Sequence, residues 1–507
     1  MTGLKRKATP LADTADKRGW APRLAQEQRL RQLDELLARP LATGDTVATE
    51  VERAVLLGAL DRRQEAQQAF VGILQRSPQN FSALNEFGTL LTQMGAIDAA
   101  CRVYAEAILH HPQNPMARVN LANLLLRANR HTEAREHYEA VLRVVPDHAE
   151  AHQGLGAVLS DIGDREGAKR HFEQGFRRHA ISTQAYRGTR PPVTLLQLVS
   201  SGGGNIPTSA VLDDCTFLTS VIVTDYLDPE AVLPPHQLIF NTVGDADLCQ
   251  PALEAAISLI DRTTAPVIND PRAVMRTGRI DNAERLGALP GVVTPKTIAV
   301  ARDRLAGPDG VAALAELGYS FPLLLRSPGY HTGRNFIFVE HAPDLSTAAA
   351  GLPGDELLVI EYLDARGGDG SARKYRVMMI GGKIYPLHLA ISRNWKVHYF
   401  TSDMADKPDH RSEEARFLED MPGVLGNTAM AALESIRDAL GLDYAGVDFG
   451  LAANGEVLLF EANATMVIAV PDAHERWAYR RVAINRIIEA VVAMILRKSK
   501  ALPRVKS

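Results

Sequence analysis

The stretch GVDFGLAANGEVLLFEAN, residues 446–463, predicts a β-hairpin around which the second half of the chain is organised. Asn454-Gly455 is typical of a two-residue type I′ turn between antiparallel strands. Such a turn places Asp448 directly opposite Glu461 on one face of the hairpin. The opposite face collects apolar side chains that suit a core: Val447, Phe449, Leu451, Leu458 and Phe460.

The facing acids predict a metal site. Two carboxylates directly opposed across a β-ladder repel by roughly 0.2–1 kcal/mol, so a cation between them would explain the pairing. Asn463 lies two residues beyond Glu461 on the same face and adds an amide oxygen. Carboxylate and amide oxygens are hard ligands that suit Mg²⁺, an ion that keeps waters and carries phosphates. The alternative is that one carboxylate simply points to solvent at the end of its strand.

The composition limits the possible functions. A chain of 507 residues is expected to form about two to four domains. Its 56 basic and 60 acidic residues give a net charge of −4, which provides no whole-chain case for nucleic-acid binding. Three widely spaced cysteines predict neither a disulfide framework nor a zinc site. No signal peptide and no apolar stretch long enough to span a bilayer is recognised, so we expect a cytoplasmic protein.

An internal repeat occupies the first part of the chain. Its period is 34 residues without gaps, and the blocks begin at Val47, Phe81, Pro115 and Ala149. The eighth and twentieth positions are small, so two helices can pack closely, and an aromatic residue at position 24 would fill the gap to the next block. A proline at position 32 would stop the second helix of each block, and it is replaced by Ala180 in the fourth.

This pattern resembles the tetratricopeptide repeat, with four units in residues 47–182. We expect an all-α superhelical domain over residues 25–182, beginning with a helix at about Ala25 to Ala38, after a disordered polar tail at residues 1–24. The resemblance implies a concave groove that binds a peptide or protein substrate. The alternative is a scaffold that only dimerises or stiffens the chain.

The pattern changes after a proline- and arginine-containing linker at residues 183–192. Residues 193–290 alternate short apolar strands with helices, which predicts a parallel sheet and an α/β domain. The turn Gly202-Gly203-Gly204-Asn205 follows the first strand and is compatible with either a phosphate site or an ordinary tight turn.

The chain after residue 290 has two features that suit a binding site, and a short tail is expected at residues 499–507. The loop Ser327 to Arg334 contains Gly329 and Gly333, which permit backbone N–H groups to close over phosphates; a flexible hairpin loop is the alternative. The polar segment Asn394 to Pro422 contains a helix-like stretch, SEEARFLEDM, and is long enough for a lid.

A second hairpin is predicted about Gly381-Gly382. Its register places Arg376 opposite Leu387, and a guanidinium among apolar partners needs an anion or an exit to water. The nearby His388 is interpreted as a surface or hydrogen-bonded residue.

The order of these segments resembles the ATP-grasp superfamily of carboxylate–amine ligases, of the RimK and glutathione synthetase kind. The resemblance covers about Val193 to Lys498 and depends most on the acid pair and on the hinge Glu361-Tyr362-Leu363. It implies an α/β pre-ATP-grasp domain at 193–290 and an α+β ATP-grasp domain at 291–498, with ATP between two small α+β lobes.

The resemblance also implies roles for individual residues. Asp448, Glu461 and Asn463 would hold two Mg²⁺ ions, with Mn²⁺ as a substitute. The adenine edge would meet Glu361 and the backbone of Leu363, with the ribose near Asp364. Arg279 and Arg326 stand where the family usually has phosphate-binding lysines, and arginine changes a point charge into a planar fork. In place of the family's Asp-x-Arg strand the chain has Lys374-Tyr375-Arg376, and only Arg376 keeps its role, which is to stabilise an oxyanion.

These expectations predict an ATP- and Mg²⁺-dependent ligase that joins a carboxylate to an amine through an acyl phosphate. The repeats would recruit a peptide or protein substrate, and a small-molecule acid or amine could be the co-substrate. A homo-oligomer is compatible with the sequence, whereas nucleic acid and membrane are not expected partners. The alternatives are a catalytically weak nucleotide-binding adaptor and an enzyme that transfers phosphate to a hydroxyl.

Overall fold

The computed structural model describes the chain over the following residues: 30–35, 38, 43–60, 62–328, 335–397, 399, 402–471 and 474–501. Contacts divide the chain into two compact units. The first extends to Pro192 and includes Asp214–Thr219 and Tyr226–Ala231, and the second contains the remainder from Val193 onwards. The predicted tail at residues 1–24 lies outside the described residues. Within the described part, no helix is both long enough and apolar enough to cross a membrane.

Helix pairs build the first unit. Its helices are α1 Thr43–Ala59, α2 Arg63–Arg76, α3 Phe81–Gln93, α4 Ile97–His110, α5 Pro115–Arg127, α6 His131–Val144, α7 Ala149–Asp161 and α8 Arg165–Phe176. From α2 onwards, equivalent helices start 34 residues apart, at Arg63, Ile97, His131 and Arg165. The predicted array of four helix pairs is therefore confirmed, although α1 begins four residues before the predicted block. Residues 30–35 are also helical, within the helix predicted at 25–38.

Small and aromatic residues lock the helices of this array together, as predicted. A side chain on Gly88 would stand 2.5 Å from the ring of Tyr104 in the same unit. Phe70 stacks on Phe87 of the next unit, with ring centroids 5.6 Å apart. The aromatic residue at this position of the repeat thus packs both within one helix pair and against the next helix pair.

We predict that Gly154→Ala destabilises the array by about 1–3 kcal/mol, because overpacking a filled core forces side chains and backbone to move. A Cβ atom at Gly154 would lie 2.2 Å from Cζ of Tyr138, which is fully buried and donates a hydrogen bond to Asn123. The measurement is chemical unfolding of the full chain. Gly72→Ala is the matched control, since nothing lies within 4 Å of its Cβ position and alanine favours a helix. Equal stability of both variants would contradict this packing.

The last repeat is covered by chain from beyond the array. Tyr226 stacks on Phe176 with ring centroids 5.6 Å apart and also contacts Phe172 at 6.3 Å. Both phenylalanines belong to α8, in the unit where Ala180 replaces the repeated proline. A terminal helix pair has no following pair to bury its aromatic residues, and Tyr226 covers them instead.

Three sheets build the second unit. Its strands are β2 Val193–Val199, the second part of β3 Phe217–Val223, β4 Leu238–Asn241, β5 Val267–Ile268, β6 Val292–Val293, β7 Thr297–Ala301, β8 Leu323–Arg326, β9 Phe336–Val339, β10 Glu356–Glu361, β11 Ala372–Ile380, β12 Lys383–Ser392, β13 Tyr444–Leu451 and β14 Val457–Asn463. The strand β1 Ile181–Thr183 and the start of β3, up to Thr219, belong to the first unit. Its helices are α9 Gln250–Ile260, α10 Pro271–Met275, α11 Arg279–Gly287, α12 Arg302–Ala306, α13 Gly310–Glu316, α14 Leu345–Ala350, α15 Pro408–Glu419, α16 Met421–Leu440 and α17 Ala478–Lys498.

The sheets differ in their strand directions. In the first, β2, β4 and β5 run parallel, which confirms the predicted parallel sheet. The second is antiparallel in the order β7-β10-β8-β9. The third has the order β12-β11-β13-β14-β6, and the α15 and α16 helices pack with it around one apolar core. Within the polar segment from Asn394 to Pro422, the predicted helix-like stretch at residues 412–421 is confirmed, because α15 occupies Pro408–Glu419.

The β13–β14 hairpin places Asp448 opposite Glu461, as predicted, but its turn and register differ from the prediction. Its turn is not type I′: Ala452 N donates to Glu456 O, and Gly455 has a φ of +84° while Asn454 does not have a positive φ. This longer turn shifts the register by one residue, and a β-bulge between Asp448 and Phe449 shifts it back. Phe460, predicted for the core, is the extra residue of the bulge and is 37% exposed.

The β11–β12 hairpin also contains a bulge. Met378 pairs with Tyr385 as predicted, but the register changes between Arg376 and Val377. Arg376 therefore lies opposite His388 and not opposite Leu387, which corrects the prediction. The bulge aligns His388 with the acid pair, because Arg376 is itself directly opposite Asp448 on β13.

Asn269 joins the first sheet to the third. It follows β5, is fully buried and has a φ of +56°. Its side-chain Nδ2 donates to Tyr444 O and its Oδ1 accepts from Tyr444 N, both at 2.8 Å, so its amide imitates a neighbouring strand for β13.

We predict that Asn269→Ala lowers the free energy of unfolding by about 2–3 kcal/mol. The change leaves two buried backbone groups of Tyr444 unpaired and puts alanine in a left-handed conformation. The free energy of unfolding is measured by urea titration with tryptophan fluorescence as the signal. Asn485→Ala, at an exposed position of α17, is expected to change stability by less than about 0.5 kcal/mol. A loss at residue 269 no larger than at residue 485 would show that the two bonds are not stabilising.

Candidate active site

A cavity of about 600 Å³ in the second unit brings most of the predicted site residues together. Those that line it are Arg279, Arg326, Glu361, Leu363, Arg376, Asp448, Glu461 and Asn463. Asp364 is not among the lining residues, and its carboxylate instead holds the guanidinium of Arg366, with Nη2 2.6 Å from Oδ2. Gly329 and Gly333 lie outside the described residues.

A row of polar side chains crosses the third sheet at the floor of this cavity. His388, Arg376, Asp448 and Glu461 are successive neighbours on β12, β11, β13 and β14. Because neighbouring strands are about 4.8 Å apart, each side chain in the row can reach the next. The row contains the predicted acid pair and continues from Asp448 to Arg376 and His388.

Asp448 is the most buried acid of the row, at 3% exposure. The Arg376 guanidinium donates through Nε and Nη2 to its two oxygens, the second contact being 2.7 Å, and Lys374 Nζ stands 3.1 Å away. Burial alone would raise the pKa of the Asp448 carboxyl, but the charges of Arg376 and Lys374 outweigh it and hold the pKa well below its usual range. The predicted need of Arg376 for an anion is confirmed.

Glu461 faces a second cationic partner. Arg279 Nη2 donates to its Oε1 at 2.8 Å and Arg279 Nη1 to Asp247 Oδ2 at 3.1 Å. Desolvation would raise the pKa of Glu461, but Arg279 and Arg326 lower it below its ordinary value. Asn463 donates to Glu461 Oε1 at 3.0 Å, and its own Oδ1 accepts from Thr465 N at 2.9 Å. The cations beside both acids of the predicted pair therefore favour their ionised forms.

The predicted metal ligands were tested against this geometry. The described residues contain no group of three or more His, Cys, Asp or Glu side chains that could hold a metal ion. Two ionised carboxylates and one amide, Asp448, Glu461 and Asn463, do line one cavity. This donor set fits Mg²⁺ when water and phosphate oxygens complete the coordination, as is usual for that ion.

Aromatic side chains form another part of the cavity wall. Trp395 stacks on Phe338 with ring centroids 5.4 Å apart and meets Phe336 edge to face at 5.5 Å. Tyr362, beside Leu363, meets Phe338 at 5.0 Å. Phe336, Tyr362 and Trp395 line the cavity, so its wall includes flat apolar surfaces as well as charges.

Several lining residues were not predicted from the sequence: Asp245, Asp247, Lys374, His388, Trp395 and Arg480. Asp245 and Asp247 carry a detectable signal, since they follow the buried strand β4 at the carboxyl end of a parallel sheet. The interpretation of His388 as a surface or hydrogen-bonded residue is wrong: it is 7% exposed, and among the residues that the structure describes none forms a hydrogen bond with its Nδ1.

Comparison with known proteins supports the repeats. The tetratricopeptide repeat family matches residues 113–179. Protein FlbA of Caulobacter vibrioides is 29% identical over 119 residues, which are 24% of this chain and 20% of that protein. The TPR repeat-containing thioredoxin TTL4 of Arabidopsis thaliana is 33% identical over 85 residues, 17% of this chain and 12% of its own length. The chain thus spans a fifth or less of these relatives.

Among solved structures, MamA residues 41 to the end from Desulfovibrio magneticus shows 19% identity, covers 33% of this chain and 96% of its own, and gives a TM-score of 0.27. That score is too low to support an argument. The family match and the helix pairs together show that the N-terminal region contains tetratricopeptide repeats, followed by a mixed α/β region with several sheets.

Proposed function

We propose that the second unit is an ATP-dependent ligase that joins a carboxylate to an amine and forms ADP. One observation carries the proposal: the acid pair Asp448–Glu461, the cations Arg279, Arg326 and Arg376, and a set of aromatic rings line a single cavity. A nucleotide needs a flat apolar surface for its base and cations for its phosphates. A cavity of about 600 Å³ also leaves space for a second reactant.

The nucleotide would occupy the wall formed by the end of β10. Glu361 N donates to Lys296 O at 2.9 Å, and Glu361 Oε2 accepts from Lys296 N at 3.2 Å, so the hinge is fixed to its neighbour before ligand arrives. The base would lie beside Tyr362 and Leu363, and Arg279 and Arg326 would bind the phosphates. Asp448, Glu461 and Asn463 would hold two Mg²⁺ ions, which neutralise phosphate charge when bound.

The residues of this chain then have separable tasks. A carboxylate oxygen of the substrate attacks the γ-phosphorus and ADP leaves, giving an acyl phosphate. The amine nitrogen of the second substrate attacks the acyl carbon and the new N–C bond forms. The C–O bond to phosphate then breaks with the electron pair leaving on phosphate, which takes up the proton that the nitrogen loses. Arg376, in the row between His388 and Asp448, would stabilise the oxyanion that develops on the acyl oxygen.

The repeats would recruit a peptide or protein that supplies the carboxylate or the amine. Tetratricopeptide repeats generally mediate protein–protein interaction, and this unit is built of four such helix pairs. Attaching the recruiting unit to the ligase raises the local concentration of a bound chain at the cavity.

A nucleotide-binding adaptor is the second candidate, and one observation favours it. Each acid of the pair already has a protein cation, Arg376 and Lys374 for Asp448 and Arg279 for Glu461. A site that neutralises itself could bind nucleotide without the metal that turnover requires.

The test is Mg²⁺-dependent release of ADP and phosphate by the full chain, with a panel of acids, amines and peptides. If the protein is a ligase, release of ADP and phosphate requires both an acid and an amine. The mass of the product then equals the sum of the masses of the acid and the amine minus one water. Nucleotide binding without turnover under every condition would favour the adaptor. A product that gains phosphate would show transfer to a hydroxyl instead.

A further inference from the structure

The row across the third sheet continues beyond His388 to a buried arginine. The ring of His388 packs on that of Tyr399, with centroids 4.9 Å apart, and the Arg480 guanidinium lies 4.0 Å from the Tyr399 ring centroid. Arg480 comes from α17, a helix that follows β14 in the chain. All three side chains line the cavity.

Two polar atoms at this end have no hydrogen-bond partner within the described part of the chain: Nε of Arg480 and Nδ1 of His388. The two residues are 6% and 7% exposed. Leaving a buried donor or acceptor unpaired is costly, so native proteins rarely do so without a ligand or water to complete the site. Both residues line the cavity described above, which can supply such a ligand.

Glu414 on α15 forms an ion pair with Arg480 but leaves hydrogen-bond donors of the guanidinium available. Its Oε1 lies 3.4 Å from Arg480 Nε, an ion pair beyond good hydrogen-bond distance. The fully buried carboxylate instead accepts from Tyr399 Oη at 3.0 Å, from Tyr479 Oη and from Leu389 N at 3.3 Å. These bonds satisfy Glu414 and fix the position of Arg480, whose guanidinium keeps donors for another group.

The charge at this end of the cavity favours an anion. The cations are Arg376, Lys374 and Arg480, and their acid partners are Asp448 and Glu414, which leaves one positive charge in excess. Guanidinium groups stacked on aromatic rings bind carboxylates in a planar, two-point arrangement.

We propose that Arg480 and His388 form a subsite for a second carboxylate of a dicarboxylic substrate whose reacting carboxylate lies at Arg376. This inference rests on the proposed ligase function. His388 lies one strand spacing, about 4.8 Å, from Arg376, and the Tyr399 ring lies 4.9 Å from the His388 ring and 4.0 Å from the Arg480 guanidinium. A diacid with one carboxylate at Arg376 places its second carboxylate in this subsite, and Arg480 selects such diacids over monoacids that lack the second carboxylate.

The subsite is tested by measuring the Kd of glutarate and of butyrate for the full chain with isothermal titration calorimetry. Glutarate is expected to bind, and Arg480→Met is expected to raise its Kd by about 10–100-fold, since a hydrogen bond to a charged group is lost. Arg486→Met, an exposed position on the same helix, serves as the control and should leave the Kd unchanged. Equal affinities for glutarate and butyrate, or an unchanged Kd in Arg480→Met, would overturn the subsite.

A second variant keeps the test decisive if Arg480→Met does not fold. His388→Leu removes the unpaired imidazole but leaves the Arg480–Glu414 pair intact, and it is expected to weaken glutarate while butyrate is unaffected. ADP release separates the two proposals. Glutarate binding through Arg480 without turnover by any acid would reject the ligase alone, whereas turnover of monoacids and diacids at equal kcat/KM would reject the subsite alone.

Discussion

Replacing Asp448 with alanine is expected to lower the free energy of unfolding by about 3–5 kcal/mol, because it leaves buried cations without a partner. Asp448 is 3% exposed and holds Arg376 and Lys374 at once. Burial makes each unpaired charge costly, while the retained pair is only weakly stabilising in itself. Urea unfolding of the full chain at pH 7 measures the loss.

The controls separate charge from packing. Glu434→Ala, at an exposed position of α16, should change stability by less than about 0.5 kcal/mol. The double variant Asp448→Leu with Arg376→Met removes both charges of the main contact and is expected to recover much of the loss. If Asp448→Ala unfolds like Glu434→Ala, the carboxylate is not the partner that keeps these cations in the sheet.

The repeats could be predicted from the sequence because their determinants are local and recur. Small residues such as Ala54 and Gly88 must admit an aromatic ring 16 positions later, so every unit repeats the same spacing. The covering of the last unit could not be predicted in this way. Tyr226 reaches α8 from a segment outside the period, and no spacing in the repeats indicates it.

The hairpin shows how a correct pairing can follow from two errors. The turn around Asn454-Gly455 is longer than a type I′ turn, and the bulge after Asp448 compensates for it. A bulge depends on what packs across the strands, here Phe460 turning from the core to the cavity, and single-strand alternation contains no record of it. The Asp448–Glu461 pair was nevertheless predictable because both residues are on one hairpin.

Residues contributed by distant segments were the ones that sequence reasoning missed. Asp247, His388 and Arg480 reach the cavity from a strand end, a bulged strand and the last helix. Each looks ordinary in its own segment, and only the third sheet and α17 bring two of them to the same wall. Asp364 shows the opposite case. Its position beside the hinge predicted a ribose contact, but its carboxylate accepts a hydrogen bond from Arg366 instead.

Replacing Arg376 with methionine is expected to reduce the rate of ADP release by about 10²–10³-fold, if the proposed ligase is correct. Removing one preorganised donor to a developing oxyanion has an effect of this size in other enzymes. Arg376 is placed for this task by both neighbours in the row, with His388 on one side and Asp448 on the other. Nucleotide affinity should change little, because Arg279 and Arg326 are the proposed phosphate ligands.

The measurement therefore needs kcat and nucleotide Kd in the same variant. Lys383→Met, at the exposed start of β12, removes a cation from the same hairpin outside the cavity and should leave both quantities unchanged. In Arg376→Met, Lys374 Nζ remains 3.1 Å from Asp448 and keeps that carboxylate paired, so the fold should survive. A parallel loss of nucleotide binding would assign Arg376 to the phosphates, and an unchanged kcat would remove it from the chemistry.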